Sequence, residues 1–445
     1  MTNANEKNSI TISAANGLRG EIFVPGDKSI SHRAVILGSI AEGVTEVYGF
    51  LEGEDNLSTL NAFRQMGVEI EYEPSLAASY VVLKIHGAGA GTLKEPSNVI
   101  DARNSGTTAR LLTGLLSSQP FFSVITGDDS LRKRPMRRVV EPLIKMGASI
   151  TGREDARLLP LAIKGQRLHG INYKTPVASA QLKSAILLAS LHADGETIVE
   201  EMEKSRDHTE RMLKAFGADI RVEGLKVTVT SKNKLKGCKV YVPGDISSAA
   251  FFMVGAMITP DSDLLMNGVG VNPTRTGIID ILRKMGGNID VEDKGEETGE
   301  PVANIRVKTS SLKGIDISGP ELLPAIDEFP IICIAEEFAS GRTTISWAVE
   351  LRVKESDRIA VMSKHLRAMG VEAIEKTDGI IIEGYNAQRL SWQERVEIDS
   401  MGDHRIAMSF AIAGLMATKG ITIKNPECAD VSFLGFYETL KLVSV

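Results

Sequence analysis

Short polar stretches open apolar, small-residue helices at five places: Asp27-Lys28-Ser29-Ile30-Ser31-His32-Arg33, Asn104-Ser105-Gly106-Thr107-Thr108-Ala109-Arg110, Ser179-Ala180-Gln181-Leu182-Lys183, Asp327-Glu328-Phe329-Pro330 and Asp403-His404-Arg405-Ile406-Ala407. Serine, aspartate and asparagine side chains at such starts accept the unpaired backbone N–H groups of the first turn. The remaining N–H groups and the helix dipole favour an anion there. Cations recur beside these starts: Lys28 with Arg33, Arg110, Arg134, Arg206, Lys354 with Arg358, and Arg405. Guanidinium forks match the oxygens of carboxylates and phosphates. If such helices aim at one cleft, the chemistry is the binding of a multiply charged anion.

Each motif alone also has a structural reading, since capped helix starts are common. In Lys354-Glu355-Ser356-Asp357-Arg358 the two cations stand at i, i+4 and would share a helix face with Glu355 beside them; a surface ladder of ion pairs has the same pattern. Asp327-Glu328 is either an N-cap pair or a source of a catalytic carboxylate. The run Arg132 to Arg138 has no aromatic residue, and Pro135 suits a first helical position, which makes Arg134 an anion contact at a helix start and leaves Arg137 and Arg138 facing solvent. Gly26-Asp27-Lys28-Ser29 is not the tail of a P-loop, because Asp27 and Ile22 stand where that motif needs glycine.

The elements that must position these residues repeat. A helix end, a glycine and a β-branched or apolar run recur at Gly67, Gly147, Gly217, Gly286 and Gly370, with Tyr437 to Leu440 as a truncated sixth copy. Turns before alternating strands recur at Gly43, Gly195, Gly341 and Gly420. Six units of about 74 residues are too long for a solenoid repeat and suit small α/β lobes. Val-Pro-Gly-Asp occurs at Val24 to Asp27 and again at Val242 to Asp245, with three of the glycine markers between the copies. The two copies read as chain crossings: residues 25–244 form a first lobe, and 1–24 with 245–445 a second.

The 445 residues suit two domains, and 43% hydrophobic with 24% charged residues is an ordinary globular balance. The longest apolar run, Ala249 to Ile258, is too short to cross a bilayer, and the start lacks the regions of a secretory signal, so a cytoplasmic chain is expected. Cys238, Cys333 and Cys428 show neither metal-ligand spacing nor an even set, and read as reduced thiols; the seven histidines form no metal-binding pair. No metal is implied. A net charge of −6 argues against nucleic acid as a partner.

Gly26 to Arg33, Asn104 to Thr107, Lys133-Arg134-Pro135-Met136, Leu351 to Arg358 and Asp403-His404-Arg405 closely resemble the EPSP synthase family, in order and over nearly the whole chain. Gly26-Asp27-Lys28, Ser179 to Lys183, Arg206-Asp207-His208-Thr209-Glu210 and Asn272-Pro273-Thr274-Arg275 resemble its second class. The resemblance implies an α/β, two-domain inside-out barrel of six βαβαββ-type repeats, three per domain, with the active site in the cleft between the domains. It implies transfer of the enolpyruvyl group of phosphoenolpyruvate to the 5-hydroxyl of shikimate 3-phosphate, by a monomer with no cofactor, no metal, no nucleic acid and no membrane.

Residue by residue, it makes Lys28, Ser29, Arg33, Ser179, Ala180, Gln181, Arg206, Asp327 and Lys354 contacts of shikimate 3-phosphate, and Lys28, Gly106, Arg134, Gln181, Arg358 and Arg405 contacts of phosphoenolpyruvate. Glu355 would exchange a proton with C3, Lys28 would stabilise charge and pass protons, and Asp327 would face the hydroxyl. Sensitivity to glyphosate is expected from Gly106, where insensitive members carry alanine, although Leu111 replaces a proline usual in sensitive first-class members. No lysine stands in Cys428 to Phe433, where many relatives carry one for a phosphate, and Leu434 replaces a usual proline.

Two rivals remain on the sequence. The enolpyruvyl transferase acting on UDP-N-acetylglucosamine shares the fold but normally has Lys-Asn at the first helix start and a reactive loop cysteine; here Lys28-Ser29 stands instead, and no cysteine lies in the first lobe's loops. A non-catalytic ring of repeats, such as a DNA clamp, does not account for cations clustered at helix starts.

Overall fold

The structure, a computed structural model, describes residues 9–74, 81–385 and 396–445. The opening residues read above for a targeting signal lie outside them. The chain forms two compact units: a first of Gly26–Pro243 with Glu296–Glu300, and a second of Met1–Pro25, Gly244–Gly295 and Pro301–Val445. Residues 296–300 are the tip of a hairpin, Asn288–Glu297 with Glu300–Lys308. They join the first unit because Glu300 Oε1 lies 2.8 Å from His208 Nδ1, and Gly299 O accepts a 2.7 Å bond from Arg211.

The first unit carries six helices of eight or more residues among the described residues: α1 (Lys28–Ile40), α2 (Glu54–Gln65), α3 (Gly106–Leu116), α4 (Arg137–Lys145), α5 (Ala180–Ser190) and α6 (His208–Ala215). They alternate in character. From Ile30 onward α1 is buried all round, as is α5 from Leu182, and in α3 every residue but Thr107 is buried. Such helices belong in the centre of a core. In contrast α2, α4 and α6 keep a polar face outward.

Three four-stranded sheets surround these helices, with strand orders Lys239–Tyr241, Glu42–Tyr48, Val81–Ala88, Glu69–Pro74; Ile100–Asp101, Phe122–Thr126, Leu158–Lys164, Ser149–Gly152; and Asn172–Lys174, Glu196–Glu200, Lys226–Thr230, Asp219–Glu223. The first pair in each is parallel and the other two pairs antiparallel. Each repeat is thus βαβαββ, and the first borrows its parallel strand, Lys239–Tyr241, from the end of the unit. The central helices pack closely: a Cβ on Gly114 of α3 would lie 2.2 Å from the Ala185 carbonyl of α5, so only glycine fits.

The second unit repeats the plan with α7 (Ile246–Ile258), α8 (Gly277–Lys284), α9 (Phe329–Glu337), α10 (Arg358–Ala368), α11 (His404–Gly414) and α12 (Phe436–Val443). Every residue of α7 and α9 is buried, and every residue of α11 but Arg405. Tyr437 to Leu440, read from the sequence as a truncated sixth copy, lies in α12, a full sixth outer helix. Its sheet is completed from the other end of the chain: Ser9–Ile12 pairs antiparallel with Ile421–Lys424, which pairs parallel with Val396–Asp399.

The five glycines that mark the repeats all have positive φ, from 82° at Gly370 to 99° at Gly286, the left-handed cap that ends a helix before a strand. Among the described residues no helix is long and apolar enough to cross a membrane. The three cysteines are free thiols; Cys333 is buried, burial pushes the half-buried Cys428 up to about 11, and Cys238, against the sequence reading, stands in a loop of the first unit just before the strand Lys239–Tyr241.

Candidate active site

In the first unit the starts of α1, α3 and α5 are capped by Asp27, Ser105 and Ser179, whose side chains accept from Ile30 N at 2.8 Å, Thr108 N at 3.1 Å and Leu182 N at 3.4 Å. Hydrogen bonds tie these starts together. Gln181 in the first turn of α5 donates to Thr107 Oγ1 at 3.0 Å and accepts from Arg110 Nη1 at 2.7 Å, so α3 and α5 share a polar end. A buried chain runs from His32 Nδ1 to Thr59 Oγ1 at 2.7 Å and on to Thr108 Oγ1 at 2.6 Å, which locks α1, α2 and α3 in register. Burial, then Lys28 and Arg33, holds the His32 imidazole well below its ordinary value, hence neutral.

The cations converge on these starts. Lys28 is ion-paired with Asp55 of α2. Arg33 donates to Thr209 Oγ1 at 2.6 Å, Ser29 O at 2.8 Å and Ser184 Oγ at 2.9 Å. Burial lowers it to about 10, with Arg206 acting in the same direction against Glu210 and Asp27. Arg134 is held by Asn104 Oδ1 at 2.6 Å and Ser130 Oγ at 3.2 Å. Gly106 lies between these groups: an added Cβ would stand 2.6 Å from Arg110 Nη1 and 3.7 Å from Arg134 Nη1. The space beside Gly106 is therefore taken by Arg110, not open.

In the second unit the starts of α9, α10 and α11 gather carboxylates with the cations. Arg358, 1% exposed, donates from Nε to Asp403 Oδ2 at 2.9 Å and from Nη2 to Glu355 Oε2 at 2.7 Å, and its Nη1 lies 3.6 Å from Asp327 Oδ1. Lys354 Nζ reaches the same Asp327 oxygen at 3.6 Å. Arg405 Nη1 stands 3.6 Å from Glu328 Oε1, which also accepts from Ser247. Burial alone would lower the Arg358 guanidinium, but Asp403, Glu355 and Asp327 outweigh it and raise it. An always-charged clamp with carboxylates on three sides results.

Two details differ from the sequence reading. Lys354 and Arg358 do not share a helix face: Asp357 caps α10 by accepting from Ala360 N at 3.0 Å, and Lys354 is extended. They meet through Asp327 instead. Pro135 is not the first helical residue, because α4 starts at Arg137 and Arg134 closes the 3-10 turn Leu131–Lys133. Glu328, the N-cap residue of α9, makes no side-chain cap bond there, and its carboxylate faces Arg405 instead.

Ser29, Arg33, Gly106, Arg134, Ser179, Ala180, Gln181 and Arg206 lie in the first unit, with Lys28, and Asp327, Lys354, Glu355, Arg358 and Arg405 in the second. Reading residues by type missed Asp55 as the partner of Lys28, Asn104 as that of Arg134 and Asp403 as that of Arg358. Asn104 and Asp403 stood in quoted motifs, but as helix-start residues; Asp55 carried only the signal of an acidic first turn in α2. Among the described residues no group of three or more histidine, cysteine, aspartate or glutamate side chains could hold a metal ion.

Residues 12–440 match the EPSP synthase (3-phosphoshikimate 1-carboxyvinyltransferase) family. The chain belongs to the EPSP synthase family. It is 56% identical over 436 residues to the 3-phosphoshikimate 1-carboxyvinyltransferase of Geobacter metallireducens, covering 98% of this chain and 99% of that protein. To the Geobacter sulfurreducens protein of the same name it is 54% identical over 437 residues, with 98% and 99% covered. A solved EPSP synthase from Acinetobacter baumannii superposes with a TM-score of 0.86 at 50% identity, over 98% of each chain. The fold is therefore that of EPSP synthases, helices inside strands, three repeats to a unit.

Proposed function

We propose that the chain transfers the enolpyruvyl group of phosphoenolpyruvate to the 5-hydroxyl of shikimate 3-phosphate and releases phosphate, in the cytoplasm. The observation that carries the reading is the cluster of Glu355, Asp327, Lys354 and Arg358, in which acid and base candidates stand beside cations within 3.6 Å. Capped helix starts with Arg33, Arg110 and Arg134 in the first unit supply fields for the second anion.

In this reading Glu355 delivers a proton to C3 of phosphoenolpyruvate, and C2 takes on positive charge. The 5-hydroxyl oxygen bonds to C2 while its proton passes to Asp327. The tetrahedral adduct then breaks its C2–O bond to phosphate, C3 returns a proton to Glu355, and the double bond re-forms. Lys28 protonates the leaving phosphate, and the proton held by Asp327 restores the balance. Arg134, Arg358 and Arg405 hold the phosphoenolpyruvate anion, and Ser29, Arg33, Ser179, Gln181, Arg206 and Lys354 hold shikimate 3-phosphate. Residues of both units are thus proposed to serve one pair of substrates.

Phosphate release that requires phosphoenolpyruvate and shikimate 3-phosphate together tests the reading. Release with UDP-N-acetylglucosamine instead would overturn it. Glyphosate is expected to compete with phosphoenolpyruvate. In Gly106→Ala the methyl must displace the Arg110 guanidinium, so glyphosate inhibition is expected to weaken by about tenfold or more, with a smaller rise in the KM for phosphoenolpyruvate. Equal inhibition of parent and variant would show that this glycine does not set inhibitor binding.

A further inference from the structure

Asn272-Pro273-Thr274-Arg275, a motif with no part in the reaction described above, forms the turn that leads into α8. Asn272 ties the turn to itself. Its Oδ1 accepts from Thr274 N at 2.9 Å and from the Thr274 hydroxyl at 2.8 Å, and its carbonyl accepts from Arg275 N at 2.8 Å. The turn delivers Arg275, 3% exposed, to the start of α7. There Arg275 Nη2 donates to Ser247 Oγ at 2.7 Å and to Asp245 Oδ1 at 3.1 Å, and Asp245 caps α7 by accepting from Ser247 N at 2.9 Å.

The direction of the next bond follows from the donors. Arginine only donates and a serine hydroxyl has one proton, so Ser247, which accepts from Arg275, gives its proton to Glu328 Oε1. The same oxygen lies 3.6 Å from Arg405 Nη1, and Glu328 is buried. Asp245, Arg275, Ser247, Glu328 and Arg405 thus form one chain. It joins the starts of α7, α9 and α11, the central helices of three different repeats of the second unit. At 3.6 Å the last contact is an ion pair longer than a hydrogen bond, so Glu328 faces the guanidinium without taking up that N–H donor.

We propose that Glu328, fixed by Ser247 and Arg275, is a positioning residue that aims Arg405 and so strengthens the hold on phosphoenolpyruvate, but not on shikimate 3-phosphate. The proposal rests on the reading of Arg405 as a contact of phosphoenolpyruvate. Aiming and mere charge act in opposite directions here. A carboxylate near an anion site repels the anion, so a Glu328 that acted by charge alone would weaken binding, and its neutralisation would tighten it. A Glu328 that aims Arg405 strengthens binding, and its neutralisation loosens it.

Glu328→Gln keeps the shape and an oxygen that can accept from Ser247, but loses the charge facing Arg405. It is expected to raise the KM for phosphoenolpyruvate about fivefold to twentyfold, with kcat and the KM for shikimate 3-phosphate within about twofold. Ser247→Ala keeps the charge but releases the carboxylate, and is expected to raise the same KM about threefold or more. It strands a buried guanidinium and a buried carboxylate and can fail to fold, so Glu328→Gln carries the test. In an Arg405→Gln background Glu328→Gln is expected to change that KM by less than about twofold, since the two act in series. An unchanged or lower KM for phosphoenolpyruvate in Glu328→Gln, an equal rise in both KM values, or a full effect without Arg405 would overturn the positioning role. Crystal structures of parent and Glu328→Gln without substrates separate this from the reading of function: the Arg405 guanidinium is expected to move by about 1 Å or more, or to lose order. A guanidinium equally ordered in the same place overturns the positioning role whatever the substrate. A parent without turnover on the two substrates would overturn the reading of function alone.

Discussion

In the first unit the buried Lys183 meets Glu201 at 2.7 Å and Glu210 at 2.6 Å, whereas in the second the equally buried Glu337 finds no hydrogen-bond partner for either oxygen among the described residues. The contrast extends to the arginines. Arg33 is bonded to neutral groups, two hydroxyls and a carbonyl, while Arg358 is bonded to Asp403 and Glu355. At Arg33, Arg110 and Arg134 the first unit sets positive charge against neutral acceptors, although Lys28 and Lys183 are paired with carboxylates, and the field of these arginines is available to an anion. The second balances cation against carboxylate and retains groups able to give and take protons. Binding and proton transfer make different demands on a helix start, and of the groups proposed to move protons Glu355 and Asp327 stand in the second unit and Lys28 in the first.

The sharpest way to break this contrast is Glu355→Gln. It keeps the volume and a hydrogen-bonding oxygen but no exchangeable carboxyl proton, so turnover should fall about a thousandfold or more, with KM values little changed. Arg33→Gln in the first unit should instead act mainly on the KM for shikimate 3-phosphate. Steady-state kinetics of both variants check the split, and near-parental turnover of Glu355→Gln would remove the proton-transfer role from Glu355.

Stability sharpens it further. Arg358→Met leaves Asp403, which has no exposed surface, without its cation, and should cost about 3–5 kcal/mol. Arg33→Met strands only neutral groups and should cost about 1–3 kcal/mol. Denaturant titrations of the two variants measure the difference. Equal losses would mean that the two arginines are buried on the same terms.

Much of the scaffold could be read from the sequence because it is local. A helix buried all round is a continuous apolar run, as in Ala249 to Ile258, and a left-handed cap is a glycine after a helix end, as at Gly67 and Gly286. The site's cations were legible for the same reason: they sit beside their own helix starts. Their partners were not: Asp55 reaches Lys28 only through packing of α2 on α1 within one repeat, and Asp403 reaches Arg358 only through packing of separate repeats. Nor was the completion of the last sheet by Ser9–Ile12, whose partner strand lies at the other end of the chain. Helix boundaries moved where side-chain caps competed, as Asp357 shows for α10.

The smallest expected effect concerns the two buried carboxyls at the end of α9. Glu336 and Glu337 end α9, where the helix dipole is negative, and burial pushes each up to about 8, opposed for Glu336 only by the Thr343 hydroxyl bonded to it. Both are therefore largely protonated in the folded chain at neutral pH. In the unfolded chain each releases its proton near the ordinary value of 4.5. The stability they contribute is fully present below that value and is lost as pH rises through about 8. Glu337→Gln mimics the protonated side chain and cannot ionise, so it should remove this acid's share of the decline while Glu336 keeps its own. Thermal melts of parent and variant between about pH 5 and about pH 8 should diverge by several degrees at the alkaline end and coincide at the acid end. Parallel curves would mean that Glu337 is ionised when folded, and that the second unit balances this buried charge after all, as the first balances Lys183.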